Sequence, residues 1–244
     1  MPNIYFRGKR NFPTLSREFR KSSLAYLQQK IIACKKCPRL VRYIGEIKSK
    51  FPTYWCRPVP SFGDPNARIL LIGLAPGRFG SNRTGRMFTG DASGDFLYPA
   101  LYRAGLATQP KATLREDGLK LKDCYITAIA RCAPPQNKPT PKELSLCSSY
   151  VEEELQLLKS LKVVIALGKI AHDYYLKIRF KKAGKSDRQV FKLSQFPFRH
   201  GAVYQFDTEP KTLIDSYHPS RQNTNTGKLT RSMFDRIFNL ASNF

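Results

Sequence analysis

The chain has 244 residues, 41% of them hydrophobic, and carries 42 Lys and Arg against 18 Asp and Glu, a formal net charge of +24. Its length and apolar content suit a globular protein with a substantial core, read as one domain over 1–244 with a basic helical extension over 1–50. No stretch reaches the roughly 18 uninterrupted apolar residues of a membrane span, and MPNIYFRGKRNFP lacks the apolar core of an export signal, so a soluble cytoplasmic protein is expected.

In chain order, Ser16–Ile32 has helical spacing (Phe19, Leu24, Leu27, Ile31), and Pro38–Lys48 forms a second helical segment. ARILLIG (67–73) is a short continuous apolar run, the pattern of a strand buried on both faces. Asp95–Ala104 reads as a helix closed by Gly105, and CYITAIA (124–130) as a second strand. Thr140-Pro-Lys-Glu143 is a capping box with proline at the first helical position, opening a helix to about Leu158. KVVIALG (162–168) is a third strand, followed by a helix through Tyr175 and a basic irregular stretch over 179–201. AVYQF and TLIDSY are further strands, and Leu229–Ala241 closes the chain as an amphipathic helix. Strands alternating with helices imply an α/β protein: a three-layer α/β/α sandwich around a mainly parallel sheet. Three polar loops leave the ends of strands in this map, at 73–97, 131–141 and 217–227, and the strand ends of open α/β sheets are where ligands collect.

The charge is unevenly placed. Residues 1–50 hold 13 Lys and Arg against two Glu, and 177–192 hold seven against one Asp. Such a field steers polyanions toward the surface. A Lys-rich surface serving solubility alone would be matched by Glu, and no basic amphipathic helix suggests a membrane surface. Nucleic acid is the partner this balance favours. Of six cysteines, Cys34 and Cys37 form C-x-x-C and Cys132 and Cys147 form C-x14-C, while Cys56 and Cys124 stand apart. Four thiolates suit zinc or an iron–sulfur cluster, and spacing alone leaves both open. Four cysteine ligands leave no open coordination position, so either metal would be structural.

The loop GLAPGRFGSNRTGRMFTGDASGDFL, the segment RCAPPQN, the late YHPSRQNTNTGKLT and the four cysteines, in this order from Cys34 to Met233, resemble the family 5 (type B) uracil-DNA glycosylases of the uracil-DNA glycosylase superfamily. The resemblance implies a four-stranded parallel sheet between helices and a [4Fe-4S] cluster on Cys34, Cys37, Cys132 and Cys147. It also implies excision of uracil, and of hypoxanthine and xanthine, from the DNA of a prokaryotic cytoplasm by a monomeric enzyme, for which a sliding clamp is a plausible partner. A base within a duplex is unreachable, so the nucleotide must be flipped into a pocket. Phe88 is expected to stack on the extruded base, with Gly77, Asn82 and Asn223 also lining it. Breaking the N-glycosidic bond passes through an oxocarbenium-like sugar with negative charge on the departing base. His218 is placed to donate to that oxyanion, Asp91 to orient the water and stabilise the sugar, and Asn137 to help hold water or base. Arg83, Arg86, Ser220, Arg221, Thr226 and Lys228 are expected at phosphates. No lysine in these loops stands as a Schiff-base nucleophile, which favours a monofunctional enzyme.

Two positions depart from the pattern. Arg78-Phe79 stands where Ala-His is expected of close members, and Ala128 where family 4 relatives have an Asn that reads the uracil edge; a broad base range follows. A rival reading, a non-catalytic zinc-containing nucleic-acid-binding protein, explains charge and cysteines but leaves Asp91 and His218 without a task. A nucleotide-phosphate hydrolase would need a G-K-[ST] signature that the glycine-rich loop lacks.

Overall fold

A computed structural model describes residues 23–181 and 192–244. Four strands form its centre: β2 (Ile69–Gly73), β3 (Cys124–Ala128), β4 (Val163–Leu167) and β6 (Thr212–Ser216), each buried at all five positions. They pair in parallel. Two short antiparallel strands, β1 (Phe62–Gly63) and β5 (Val203–Gln205), close the edges and give the order β1-β3-β2-β4-β6-β5. AVYQF is thus an edge strand, half exposed, while TLIDSY is central.

Alternation along the strands sorts side chains between two cores. Ile69, Leu71, Ile126 and Ile165 face one, with Leu97, Leu101, Phe234 and Phe238 packed over them from helices α4 (Ala92–Arg103) and α9 (Arg231–Ala241). Leu70, Ile72, Val164 and Leu213 face the other, covered by Leu144, Val151, Tyr175 and Leu176 from α5 (Pro141–Cys147), α6 (Ser149–Leu157) and α7 (Lys169–Lys181). From β2 the chain crosses to β3 on one side and then back over to β4 on the other. The crevice beyond the carboxyl ends of β2 and β4 is therefore the switch point of the sheet.

The expected helix from Thr140 to Leu158 is two helices. Its capping box forms as read, with Glu143 N on Thr140 Oγ1 and Thr140 N on Glu143 Oε2. Around Ser148, however, the hydroxyls of Ser148 and Ser149 bond back to the carbonyls of Ser145 and Leu146, competition that interrupts the ladder. Helix α4 begins three residues earlier than expected because Asp91 caps it. The N-terminal helices are α1 (Leu24–Ile32) and α2 (Pro38–Lys50); the Ser16–Ser22 part of the first, and residues 182–191 of the basic stretch, lie outside the described residues.

A buried polar hub joins α1 to the sheet. Glu154, fully buried, accepts from Arg131 Nη2 at 2.6 Å, Thr127 Oγ1 at 2.6 Å and Ser61 Oγ at 2.5 Å. Gln28 adds bonds to Tyr125, Ser61 and Glu154. A second buried pair ties α7 to β6: His172 Nδ1 meets Asp215 Oδ1 at 2.7 Å and Nε2 meets the Phe196 carbonyl at 2.8 Å. The Phe196 carbonyl can only accept, so Nε2 carries a proton, and the Asp215 carboxyl, itself raised by burial, faces Nδ1. Burial pulls the His172 pKa down, but the Asp215 hydrogen bond and charge outweigh burial and hold it above the ordinary value. A raised base stabilises the fold fully below its unfolded pKa of about 6.5 and loses that contribution as pH rises through the folded value. Thermal unfolding should accordingly show a Tm advantage of wild type over His172→Phe that shrinks from pH 6 to pH 9. An advantage constant across that range would show that protonation of His172 does not contribute.

Candidate active site

The loop after β2 is shaped by close backbone approaches. A one-turn helix, α3 (Ser81–Thr84), sits inside it, and Ser81 Oγ accepts from Phe88 N at 2.9 Å. Phe88 adopts φ +52, a left-handed conformation costly for an aromatic residue. Its carbonyl presses on Gly94 of α4 so closely that a Cβ there would stand 1.7 Å from the oxygen. Its ring lies against Gly73 at the end of β2. Phe88 is 8% exposed and packs with the α4-side core, so it serves core and site together.

Three residues on, Asp91 does two jobs with two oxygens. Oδ1 accepts from Ser93 N and Gly94 N, both at 3.1 Å, and so caps α4. Oδ2 lies over Gly77 and Gly80 and accepts no hydrogen bond among the described residues; a Cβ on Gly77 would stand 3.0 Å from it and one on Gly80 only 1.8 Å. Burial raises the Asp91 pKa, opposed by the Gly94 and Ser93 amides and by the charge of Arg221. Gly80→Ala must therefore displace the carboxylate. A fall in any reaction that uses Asp91 of about tenfold or more, with Tm lowered by no more than the few degrees that the α4 cap is worth, is expected from a misplacement on the order of 1 Å; an unimpaired Gly80→Ala protein would show that Oδ2 is not the working oxygen.

The loop after β6 meets this one. The His218 ring lies 5.8 Å from that of Phe88, tilted by 31°. Its Cβ rests near Gly168, which follows β4, so the Phe88–His218 pair stands at the switch point of the sheet. Burial pulls the His218 pKa down to about 4, and the imidazole is neutral near pH 7. Asn223 Nδ2 donates to the His218 carbonyl at 2.9 Å, as does Ser220 N at 2.8 Å. Arg221, exposed at the start of the short helix α8 (Arg221–Asn225), is the cation whose field reaches Asp91.

One expected contact is corrected by its surroundings, and the other expected residues stand in varied settings. Arg86 is no phosphate contact: it is 3% exposed, paired bidentately with Asp117 at 2.8 and 2.7 Å, and stacked on Phe62. Arg83 braces its own loop, donating to the carbonyls of Phe79 and Gly90. The amide of Asn223 is committed to the chain at His218, which makes it a positioning residue. The Thr226 hydroxyl turns back to Gln222 O at 2.6 Å, and Lys228 lies over the Tyr217 ring, although both residues are exposed. Asn137 is exposed, at φ +57 in the turn after β3, and shares no hydrogen bond with Asp91 or His218. Asn82 is fully buried, with Nδ2 near Cys56 Sγ and Arg78 O and with Oδ1 unpartnered.

A family model described as "Uracil DNA glycosylase superfamily" matches residues 60–241, which hold all three loops. The chain belongs to the uracil-DNA glycosylase superfamily. A type-5 uracil-DNA glycosylase of Thermus thermophilus is 53% identical over 211 residues, covering 84% of this chain and 91% of the relative. Its counterpart in Mycobacterium leprae is 42% identical, covering 88% and 93%. A type-4 enzyme of Sulfurisphaera tokodaii is 28% identical over 90% of this chain and 85% of its own length.

Against this superfamily background the cysteines of this chain take on shape. Cys37 caps α2 and packs with Cys132 beside Leu40 and Ile44, while Cys34 and Cys147 pack with Leu27, Ile31 and Tyr150. Burial raises the Cys132 thiol, and Cys147, Cys34 and Cys37 raise it further. Burial likewise pushes Cys147 up to about 11. The four cysteines are thus near enough that charge on Cys34 opposes ionisation of Cys37, Cys132 and Cys147. No three His, Cys, Asp or Glu among the described residues stand where they would hold a single metal ion. The sequence did not reveal Gly80 and Gly168 as walls of the site, because their part is to have no side chain.

Proposed function

We propose that this chain hydrolyses the N-glycosidic bond of uracil in DNA, leaving an abasic site. The observation that carries the reading is the meeting of two loops: a half-buried carboxylate on Asp91, one oxygen of which accepts no hydrogen bond among the described residues, and a neutral imidazole on His218, with the Phe88 ring against the latter. An extruded base enters over Phe88 and Gly73. His218, neutral and therefore able to both donate and accept, gives a hydrogen bond to the base oxygen where negative charge develops, a contact typically worth about 3 kcal/mol. Asp91 Oδ2 orients the water and faces the cationic sugar, while Arg221 and Lys228 meet phosphates. The unpartnered Asn82 Oδ1 is an acceptor suited to an N–H of the base. No lysine among these residues offers a Schiff base, so the product is an abasic site and not a nick.

Hypoxanthine and xanthine are further substrates in this reading. Ala128, at the end of β3 where an amide would read uracil, makes no edge-specific hydrogen bond with its side chain. Cys34, Cys37, Cys132 and Cys147 would hold a [4Fe-4S] cluster that pins α1 and α2 to the sheet. Its contribution is structural, and no step of the hydrolysis passes through it.

The test is a set of oligonucleotides carrying uracil, hypoxanthine or xanthine, incubated without magnesium and heated in alkali. Breaks at uracil are expected with every preparation, and breaks at the purines define the range. Intact uracil strands would overturn the reading. Broad visible absorption that bleaches on reduction, with iron in the protein, is expected; a colourless protein holding zinc would replace the cluster.

A further inference from the structure

We propose that Phe79, with Arg78 stacked on it, forms a stacking subsite for the nucleobase flanking the excised one on the same strand. The inference rests on the glycosylase reading above and adds a residue to it. Arg78 and Phe79 lie between Gly77 and Gly80, the two glycines against which Asp91 Oδ2 rests, so they stand at the rim of that carboxylate. The Phe79 ring is 53% exposed, although the backbone beneath it is pinned: Arg83 Nε donates to Phe79 O at 2.7 Å and Asn82 Nδ2 to Arg78 O at 3.4 Å. Core packing therefore does not account for the ring.

Its neighbours point to a nucleic acid. The Arg78 guanidinium lies 4.8 Å over the Phe79 ring, with its buried Nε left without a partner. Phe51 meets Phe79 edge to face at 6.1 Å and stacks on Tyr54 at 4.7 Å, which extends the aromatic surface to the end of α2. Lys48 and Lys50 lie in the last turn of that helix. An apolar protein partner would be poorly served by this cationic border. An unpaired base offers a π-face to the ring and its phosphates to the cations. Flipping the target nucleotide unstacks its neighbours, and a ring at the rim replaces the lost stack.

Phe79→Ala and Phe79→Trp in the full chain test this on oligonucleotides with a tetrahydrofuran abasic analogue, which cannot be excised. 2-Aminopurine is placed beside the analogue or opposite it. Quenching of the flanking probe by wild type and Phe79→Trp, absent in Phe79→Ala, is expected, with binding of the Ala variant weakened about 5- to 100-fold. On uracil substrates the loss should fall on KM more than on kcat. Binding within twofold of wild type, or quenching only of the opposite-strand probe, would overturn the proposal. If wild type leaves uracil uncut while Phe79→Ala still loses binding and quenching, the glycosylase reading fails and the subsite stands. If wild type excises uracil and Phe79→Ala matches it in binding and quenching, the subsite fails alone.

Discussion

Asp91→Asn should lower single-turnover excision of uracil by about a hundredfold or more, yet leave Tm within a few degrees of wild type. The contrast follows from the divided carboxylate. Asn caps a helix about as well as Asp, so the bonds to Ser93 N and Gly94 N survive, whereas the charge that Oδ2 directs at water and sugar is lost. Asp91→Ala should lose the same activity and also about 1 kcal/mol of capping, which is about 2–4 °C in a chain of this size. Burial raises the Asp91 pKa, so wild-type rates should decline on acidification at a higher pH than the ordinary aspartate value of about 3.9. The Asn variant should lack that limb. An Asn variant that excises uracil at the wild-type rate would remove Asp91 from the chemistry.

His218→Ala should slow excision by about a hundred- to a thousandfold, the range for removing one oxyanion donor, while DNA binding changes little. The pH profile carries the sharper expectation. With His218 held down to about 4 by burial, its charge does not change between pH 5 and 8, and the rate should show no inflection near 6.5. A wild-type inflection near 6.5 that vanishes in His218→Ala would show a protonated imidazole at work. The same burial has a cost for the fold. A base whose pKa is lowered on folding loses stability as pH falls from about 6.5 toward 4, opposite in sign to His172, so the two histidines separate in a pH series of single variants.

Strands β2 and β4 were legible because burial on both faces leaves an uninterrupted apolar run, and the Thr140 capping box because its chemistry is local. Strand β1 was not, since two residues carry no period. In the site, Asp91, Phe88 and His218 could be named from their loops, although the capping and packing work of Asp91 and Phe88 could not. Arg86 and Arg83 could not be told from phosphate contacts. Their partners, Asp117 and the carbonyls of Phe79 and Gly90, are fixed only by the folded path of the loop. The raised pKa of His172 was not legible, since it depends on Asp215, 43 residues away.

The way Phe88 is held bears on how this scaffold could be retrained for other lesions. Three elements grip it: its amide on Ser81, its carbonyl on Gly94 and its ring on Gly73. A larger residue at 73 or 94 would push the ring or the backbone, and a different residue at 88 would inherit the left-handed conformation. The floor of the pocket is thus rigid to single changes. Laboratory evolution toward a bulkier base should spare 73, 88 and 94 and gather substitutions at the open rim around Arg78 and Phe79 and in the loop that carries His218.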